Sequence, residues 1–185
     1  MRRRALISAG GVLLASGCTA RLSSSSPTPT AASFDGGAHA DRVVVAAGDG
    51  NPPVRLTAER DVLRIDPTDD AVETLTFTLV NRSSGQVSFD PGAWQLYRRT
   101  TDAWEPQHAP ERDGPAVGLD ASETFRWVLA PRPHPSPNEP RRKDVTAELA
   151  SDRYAFAVTV DIGDRLVECV ARFGVRVVDA VSTNG

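Results

Sequence analysis

Apolar and polar residues alternate with a period of two in several stretches after about residue 41. This period places apolar side chains on one face of a β-strand and polar ones on the other. In residues 74–79, leucine and phenylalanine alternate with threonine, which predicts a half-buried strand with its threonines outward. Clear strands are predicted in this way within 75–79, 94–97, 125–129, 154–160 and 165–178, and weaker ones within 42–46 and 54–65.

Turn-forming residues separate these predicted strands. Asn81 to Gly85 forms a turn by composition, and Asp161 to Asp164 predicts a hairpin turn. After residue 20, the sequence shows no convincing helical period. About 140 residues suffice for one domain with a substantial core. The sequence therefore predicts an all-β fold, an antiparallel β-sandwich over residues 41–180, followed by a disordered tail over 181–185.

A proline-rich stretch interrupts the strand pattern between Leu129 and Arg142. Its five prolines exclude a central strand. One interpretation is an extended crossover between the two sheets. The other is a polyproline II segment that binds a partner. The residues that follow, Arg141 to Lys143, predict the one local basic patch.

A resemblance to the immunoglobulin-like domains of exported prokaryotic proteins covers about residues 72–160. It is carried by the order LTFTLVNRSSGQVSF, WQLYRRTTDAWEP, GLDASETFRWVLA and LASDRYAFAVTV. Where that pattern has Pro-Gly, this chain has Asp120-Ala-Ser122 and Ala150-Ser-Asp152. The resemblance implies an immunoglobulin-like sandwich in which the Tyr154 hydroxyl bonds nearby backbone as a tyrosine corner. It implies no particular activity, since the fold hosts many.

The first twenty residues have the layout of an export signal. Three arginines precede an apolar run from Ala5 to Ala15, which is too short to span a bilayer. Arg3 and Arg4, followed by apolar residues, resemble the twin-arginine export pattern. We therefore predict a signal peptide over residues 1–17. The alternative is a buried N-terminal helix.

The signal ends in Leu14-Ala-Ser-Gly-Cys18, which resembles a lipobox with its leucine one position early. The resemblance implies a lipid anchor on the thiol of Cys18. Residues 18–40 are rich in Ser, Thr, Pro, Ala and Gly and cannot bury enough apolar area to offset their ordering entropy. We expect a disordered tether that holds the domain at the outer face of the cytoplasmic membrane.

Composition bears on host and partners. The chain has 20 arginines and one lysine, and its formal net charge of −3 becomes −6 when the signal is removed. Scarce lysine with abundant aspartate resembles exported lipoproteins of halophilic archaea, with a GC-rich actinobacterium as the alternative. An acidic chain is a poor match for nucleic acid, which favours a basic stripe.

The sequence offers no catalytic residue. Its three histidines, His39, His108 and His134, lie in segments rich in Pro or Gly and are predicted to be solvated. A blue-copper site is excluded because no His or Met follows Cys169, which we expect to be a buried, inert thiol. No cofactor is predicted.

Two loops and one sequon complete the candidate chemistry. The aspartates of 66–70 and 161–164 could hold Ca²⁺, but neither loop has EF-hand spacing, so acidic turns are preferred and no metal site is predicted. Asn81-Arg-Ser83 is a sequon at a predicted strand end, an exposed setting that would suit N-glycosylation.

Two functions fit these features. The first is a non-catalytic immunoglobulin-like interaction or envelope module, anchored to the membrane, with an unknown protein partner. The second is an accessory ligand- or Ca²⁺-binding lipoprotein subunit of a membrane complex.

Overall fold

The structure is a computed structural model that describes residues 43–46, 50–108, 114–135 and 137–178 of the chain. The regular structure in these ranges is entirely β. No helix in the described part is long and apolar enough to cross a membrane. The strands are β1 (Val43–Ala46), β2 (Val54–Ala58), β3 (Val62–Ile65), β4 (Leu75–Asn81), β5 (Val87–Phe89), β6 (Trp94–Arg99), β7 (Trp104–His108), β8 (Val117–Leu119), β9 (Thr124–Ala130), β10 (Arg142–Thr146), β11 (Asp152–Ile162) and β12 (Arg165–Val177).

Two sheets divide these strands. The large sheet is built on the antiparallel pair β11 and β12, with β1 and β3 beside β12 and β5 and β6 beside β11. Strands β8 and β7 extend it by pairing with β5 and β6. The small sheet has the order β10-β9-β4-β2. These sheets form the predicted all-β sandwich.

The β11–β12 hairpin turns as the sequence predicts. Ile162 pairs with Arg165, which leaves Gly163 and Asp164 as a two-residue loop. Gly163 has a φ of +67°. A positive φ at the first of two loop residues is the requirement of a type II′ turn, which only glycine meets without strain.

The core lies between the two sheets, and all described residues belong to one compact unit. Phe77 of the small sheet stacks on Phe156 of the large sheet, with ring centroids 4.3 Å apart. Trp127 is fully buried and donates from Nε1 to the Pro91 carbonyl at 3.0 Å. The alternation predicted for residues 75–79 is confirmed, because its leucines and phenylalanine are buried while Thr76 and Thr78 stay on the outer face.

The prediction of one strand within residues 54–65 is wrong. Strand β2 belongs to the small sheet and β3 to the large sheet, so the chain changes sheets between them. Backbone bonds fix this crossing: Glu59 N–H donates to the Thr76 carbonyl, and Gly174 N–H donates to the Asp61 carbonyl. The physical cause is that Leu56 and Leu63 both enter the core, but from opposite layers.

The proline-rich stretch does not join the two sheets, as one interpretation had it. It leaves β9 and returns to the same sheet, where β10 pairs with β9 in parallel. A parallel return needs a long connection, because the chain must run back along the full length of the strand. The pairs of β1 and β3 with β12 are parallel as well, so the sandwich is not purely antiparallel.

The predicted signal peptide (1–17), tether (18–40) and tail (181–185) lie outside the described residues. The same holds for Arg3, Arg4, Cys18 and His39. Their assignments stay predictions. The domain predicted over 41–180 contains all the strands above.

Candidate functional site

Asn81 is a structural residue in the folded domain. Its side chain is fully buried, and Nδ2 donates to the carbonyls of Gly85 at 2.7 Å and Leu119 at 2.9 Å. Oδ1 accepts from the backbone N–H and the hydroxyl of Ser83. The expected exposed setting of this sequon is therefore wrong, because both amide protons already hold the turn together.

The turn at Leu119 to Glu123 replaces the expected Pro-Gly with Ala-Ser. Glu123 N–H donates to the Asp120 carbonyl at 3.0 Å, which closes a β-turn. Ser122 takes the glycine position with a φ of +68°. The Glu123 carboxylate pairs with Arg141 and also accepts from the Asp120 N–H, and these two contacts, that with Arg141 the larger, lower the pKa of Glu123.

The basic patch predicted at residues 141–143 is largely neutralised. Arg141 pairs with Glu123 at 2.5 Å. Arg142 pairs with Asp144 at 2.9 Å and Glu139 at 3.6 Å. Two of its three cations are thus held in ion pairs within the domain.

Tyr154 and Cys169 have the roles predicted for them. The Ala150 N–H donates to the Tyr154 hydroxyl at 3.0 Å, which confirms the tyrosine corner. Cys169 is fully buried in the core. Burial, with a smaller contribution from the carboxylate of Glu168, raises the pKa of the thiol to about 12, so it stays protonated and unreactive at neutral pH.

Two histidines are not the solvated loop residues that the sequence predicts. His108 ends strand β7 and stacks on Trp94, with ring centroids 3.9 Å apart. The His134 side chain is 13% exposed, and its Nε2 lies 3.8 Å from an Asp144 oxygen. Both rings therefore pack against the sandwich.

The Asp66 to Asp70 loop uses its oxygens internally. The Asp66 carboxylate accepts from the backbone N–H and hydroxyl of Thr68, which lowers its pKa. Arg132 donates to the carbonyls of Asp69 and Asp70 at 2.7 and 3.1 Å. Among the described residues, no cluster of three metal-ligating side chains occurs. The Ca²⁺ alternative has no supporting contact in this loop.

The small sheet carries a shallow cleft of about 370 Å³ on its outer face. Thr57, Thr78, Arg126 and Arg142 form one row across its four strands. Arg126 is exposed and has no ion pair within the part that the structure describes. Glu59 and Glu139 also line the cleft, so its charges are mixed.

The outer face of the large sheet carries a cluster separate from the core. Tyr97, Ala155, Ala157 and Val170 are buried there, and Trp104 packs against them. This placement follows from alternation, since Tyr154 and Phe156 point into the core. The base of this face is therefore apolar around Tyr97, while the buried carboxylate of Glu168 lies further along the same face of β12.

Arginines surround Trp104 on this face. Arg99 lies opposite Trp104 in the β6–β7 pair, with its guanidinium carbon 5.4 Å from the ring centroid. Arg172 of β12 lies 5.9 Å from the same centroid. Arg153 precedes the buried alanines on β11 and is exposed. We call Arg99, Trp104, Arg153 and Arg172 the arginine–tryptophan surface.

A polar basin of about 560 Å³ adjoins this surface, lined by Arg98, Arg99, Thr100, Thr101, Glu105 and Asp152. Arg98 pairs with Asp152 at 2.6 Å. This hydrogen bond is the largest cause that lowers the pKa of Asp152, and the backbone N–H and positive charge of Arg153 add to it. The basin and the surface together hold four guanidinium groups and two carboxylates.

No pattern in the sequence pointed directly to this surface. Arg99 pairs with Trp104 at the end of the β6–β7 hairpin, beside the turn that the Thr100 N–H closes by donating to the Ala103 carbonyl. Arg172 is distant in sequence and reaches Trp104 from another strand. The one usable signal was the Arg-Arg pair at 98–99 followed closely by a tryptophan.

Comparisons with known proteins give only remote likenesses. No family model and no curated protein matches the chain. Alkylpurine DNA glycosylase AlkC of Pseudomonas fluorescens, bound to DNA with an abasic site analog, is 16% identical over 69% of this chain and 31% of its own, with a TM-score of 0.32. The PapD-like domain 7 of human CEP192 is 12% identical over 72% of this chain and 93% of its own, with a TM-score of 0.34.

A β-glucosidase of Listeria innocua in complex with gluconolactone is 16% identical, with a TM-score of 0.28. The chain spans 31% of the glycosylase and 16% of the glucosidase. The likenesses carry no argument about activity.

Proposed function

We propose that this protein is a non-catalytic, immunoglobulin-like interaction module, displayed on the outer face of the cytoplasmic membrane by a lipid on Cys18. The anchor is inferred from the sequence of residues 1–18 and from the tether composition. The haloarchaeal resemblance and the twin-arginine route are part of the same proposal and rest on composition and on Arg3 and Arg4.

The observation that carries the interaction role is the composition of the arginine–tryptophan surface. Interfaces are enriched in Trp, Tyr and Arg, and these residues dominate binding hot spots. Here a half-buried tryptophan lies between Arg99 and Arg172, above a buried tyrosine.

The use of the remaining candidate chemistry supports a non-catalytic role. Asn81 and Tyr154 hold turns, and Cys169 is buried with a raised pKa. A nucleophile needs an activating base or a lowered pKa. The buried environment of Cys169 raises the pKa of its thiol instead of lowering it.

Fractionation of cells that express the full chain tests the anchor. We expect the wild-type protein to sediment with membranes and the Cys18→Ser protein to be released. Cys169→Ala is the matched control, because it removes the other cysteine and keeps the lipobox, and it should still sediment. Membrane retention of Cys18→Ser would refute the anchor.

Arg3→Lys with Arg4→Lys tests the export route. The double change keeps the positive charge and removes the paired arginines, so a twin-arginine substrate should accumulate in the cytoplasm. Unchanged export would contradict that route.

A further inference from the structure

We propose that the arginine–tryptophan surface binds an acidic segment of a protein partner. This inference rests on the proposed interaction function and names the chemistry of its partner.

The local charge of this part of the domain differs from that of the whole chain. The chain is acidic overall, with a formal net charge of −3, yet Arg98, Arg99 and Arg153 lie beside only the two carboxylates of Glu105 and Asp152. Asp152 is already engaged by Arg98. Arg99 and Arg153 form no ion pair with any residue that the structure describes. Their charges are therefore available to a carboxylate from outside.

Arg99 is held by an aromatic contact. Its guanidinium lies over the Trp104 ring, which orients the group, and it forms no ion pair with a carboxylate in the part of the chain that the structure describes. A planar guanidinium fixed in this way can donate two parallel hydrogen bonds to one carboxylate, and little side-chain entropy is lost on binding. Arg99 is thus preorganised for an acidic side chain.

The cleft on the small sheet differs from this surface. Arg126 of that cleft also forms no ion pair with a described residue, but none of the described residues that line the cleft is aromatic, and Glu59 and Glu139 lie beside it. Acidic partners would meet repulsion there. The two faces therefore differ in both charge and composition, and Arg126 provides a matched control.

Fluorescence anisotropy with a labelled Glu-Ser repeat peptide tests the proposal. The protein is the full chain carrying Cys18→Ser, which removes the cysteine proposed to carry the lipid. We expect saturable binding that weakens as salt is added, because screening reduces attraction between exposed charges. A Gln-Ser repeat peptide of equal length should not bind.

Charge-reversal variants locate the site. Arg153→Glu and Arg99→Glu should each weaken peptide binding about tenfold or more, the size expected when a charge-assisted hydrogen bond is lost. Arg126→Glu, the control, should bind as the parent does. Arg153 is exposed, so Arg153→Glu keeps the test valid if Arg99→Glu fails to fold. Equal loss in all three variants, or no loss in any, would overturn the proposal.

Competing ligands decide the partner class. Stronger binding to oligothymidine or to phosphatidylglycerol vesicles than to the acidic peptide, through the same arginines, would overturn the assignment of a protein segment. The result is independent of the anchor, since peptide binding by Cys18→Ser does not depend on lipidation. A protein released from membranes that fails to bind the peptide would refute this inference alone.

Discussion

At the scale of single residues, the turn at Ser122 shows where this chain departs from the usual choice. Type II turns place a positive φ at their third residue, which favours glycine. Here serine has a φ of +68°, although an L-residue in that region costs about 1–2 kcal/mol. The Ser122 N–H donates to the Asn81 carbonyl at 2.9 Å, so neighbouring bonds hold the turn in place.

Ser122→Gly should stabilise the domain by about 0.5–1 kcal/mol, because relief of the strained φ exceeds the added entropy of the unfolded chain. Urea unfolding measures the change. Ala121→Gly, in the same turn but without a positive φ, should destabilise it by about 0.4–1 kcal/mol. A loss of stability in Ser122→Gly would contradict the reported turn geometry.

Asn81→Ala should destabilise the domain by roughly 2–4 kcal/mol, because it leaves the carbonyls of Gly85 and Leu119 without their donors. The free energy of unfolding in urea is again the measurement. Asn138→Ala, at an exposed position, should stay within about 0.5 kcal/mol of wild type. Equal stability of the two variants would mean that Asn81 is not the buried centre of this turn.

The sequence alone identified some of these residues and not others. Tyr154 could be predicted because a tyrosine corner is a local motif. Cys169 could be predicted from the alternation of its own strand. The burial of Asn81 could not be predicted, because its partner Leu119 is 38 positions away in the sequence and a polar sequon gives no sign of burial. The pairing of Arg99 with Trp104 could not be predicted either, because β7 contains Pro106 and lacks the usual strand composition.

At the scale of elements, length decided which strands the sequence could predict. The alternation of apolar and polar residues could be recognised in the sequences of β4, β9, β11 and β12, which have seven or more residues. Strands β5 and β8 have only three residues each, so alternation did not predict them. Strand β7 contains Pro106, and β10 begins with three charged residues, so neither has the usual strand composition.

The same features protect the edges of the sheets. Strand β7 pairs with β6 alone and β10 with β9 alone among the described strands, so each has an open edge. Proline and charged side chains at an edge oppose pairing with another chain. Partner binding through side chains, as proposed for the arginine–tryptophan surface, is consistent with edges that disfavour strand addition.

Ion pairs between elements predict how stability depends on pH. Arg98 of β6 holds Asp152 of β11, and Arg141 holds Glu123, so the pKa of each carboxylate is lowered in the folded state. A lowered folded pKa contributes stability that is present above the unfolded pKa and is lost as the pH falls toward the folded pKa.

We therefore expect the melting temperature to fall between about pH 5 and pH 2. In Asp152→Asn the fall should be shallower, because the variant no longer takes up that proton. Asp102→Asn, at an exposed position that has no ion pair with described residues, is the control and should follow the wild-type curve. Identical curves for wild type and Asp152→Asn would contradict a contribution from this pair.

At the scale of the whole molecule, the proposal joins two parts of the chain. The β-sandwich carries a surface of arginine and tryptophan on its large sheet. For the first forty residues we propose, from their sequence, an export signal, a lipid-attachment cysteine and a tether. The proposed anchor matters most, because it would determine where the domain meets a partner.

Mass spectrometry of the protein extracted from membranes distinguishes a lipidated Cys18 from a free one. We expect an N-terminal peptide that begins at Cys18 and carries the mass of a thioether-linked lipid. A membrane-extracted protein that begins at Met1, or one that begins at Cys18 with a free thiol, would contradict it.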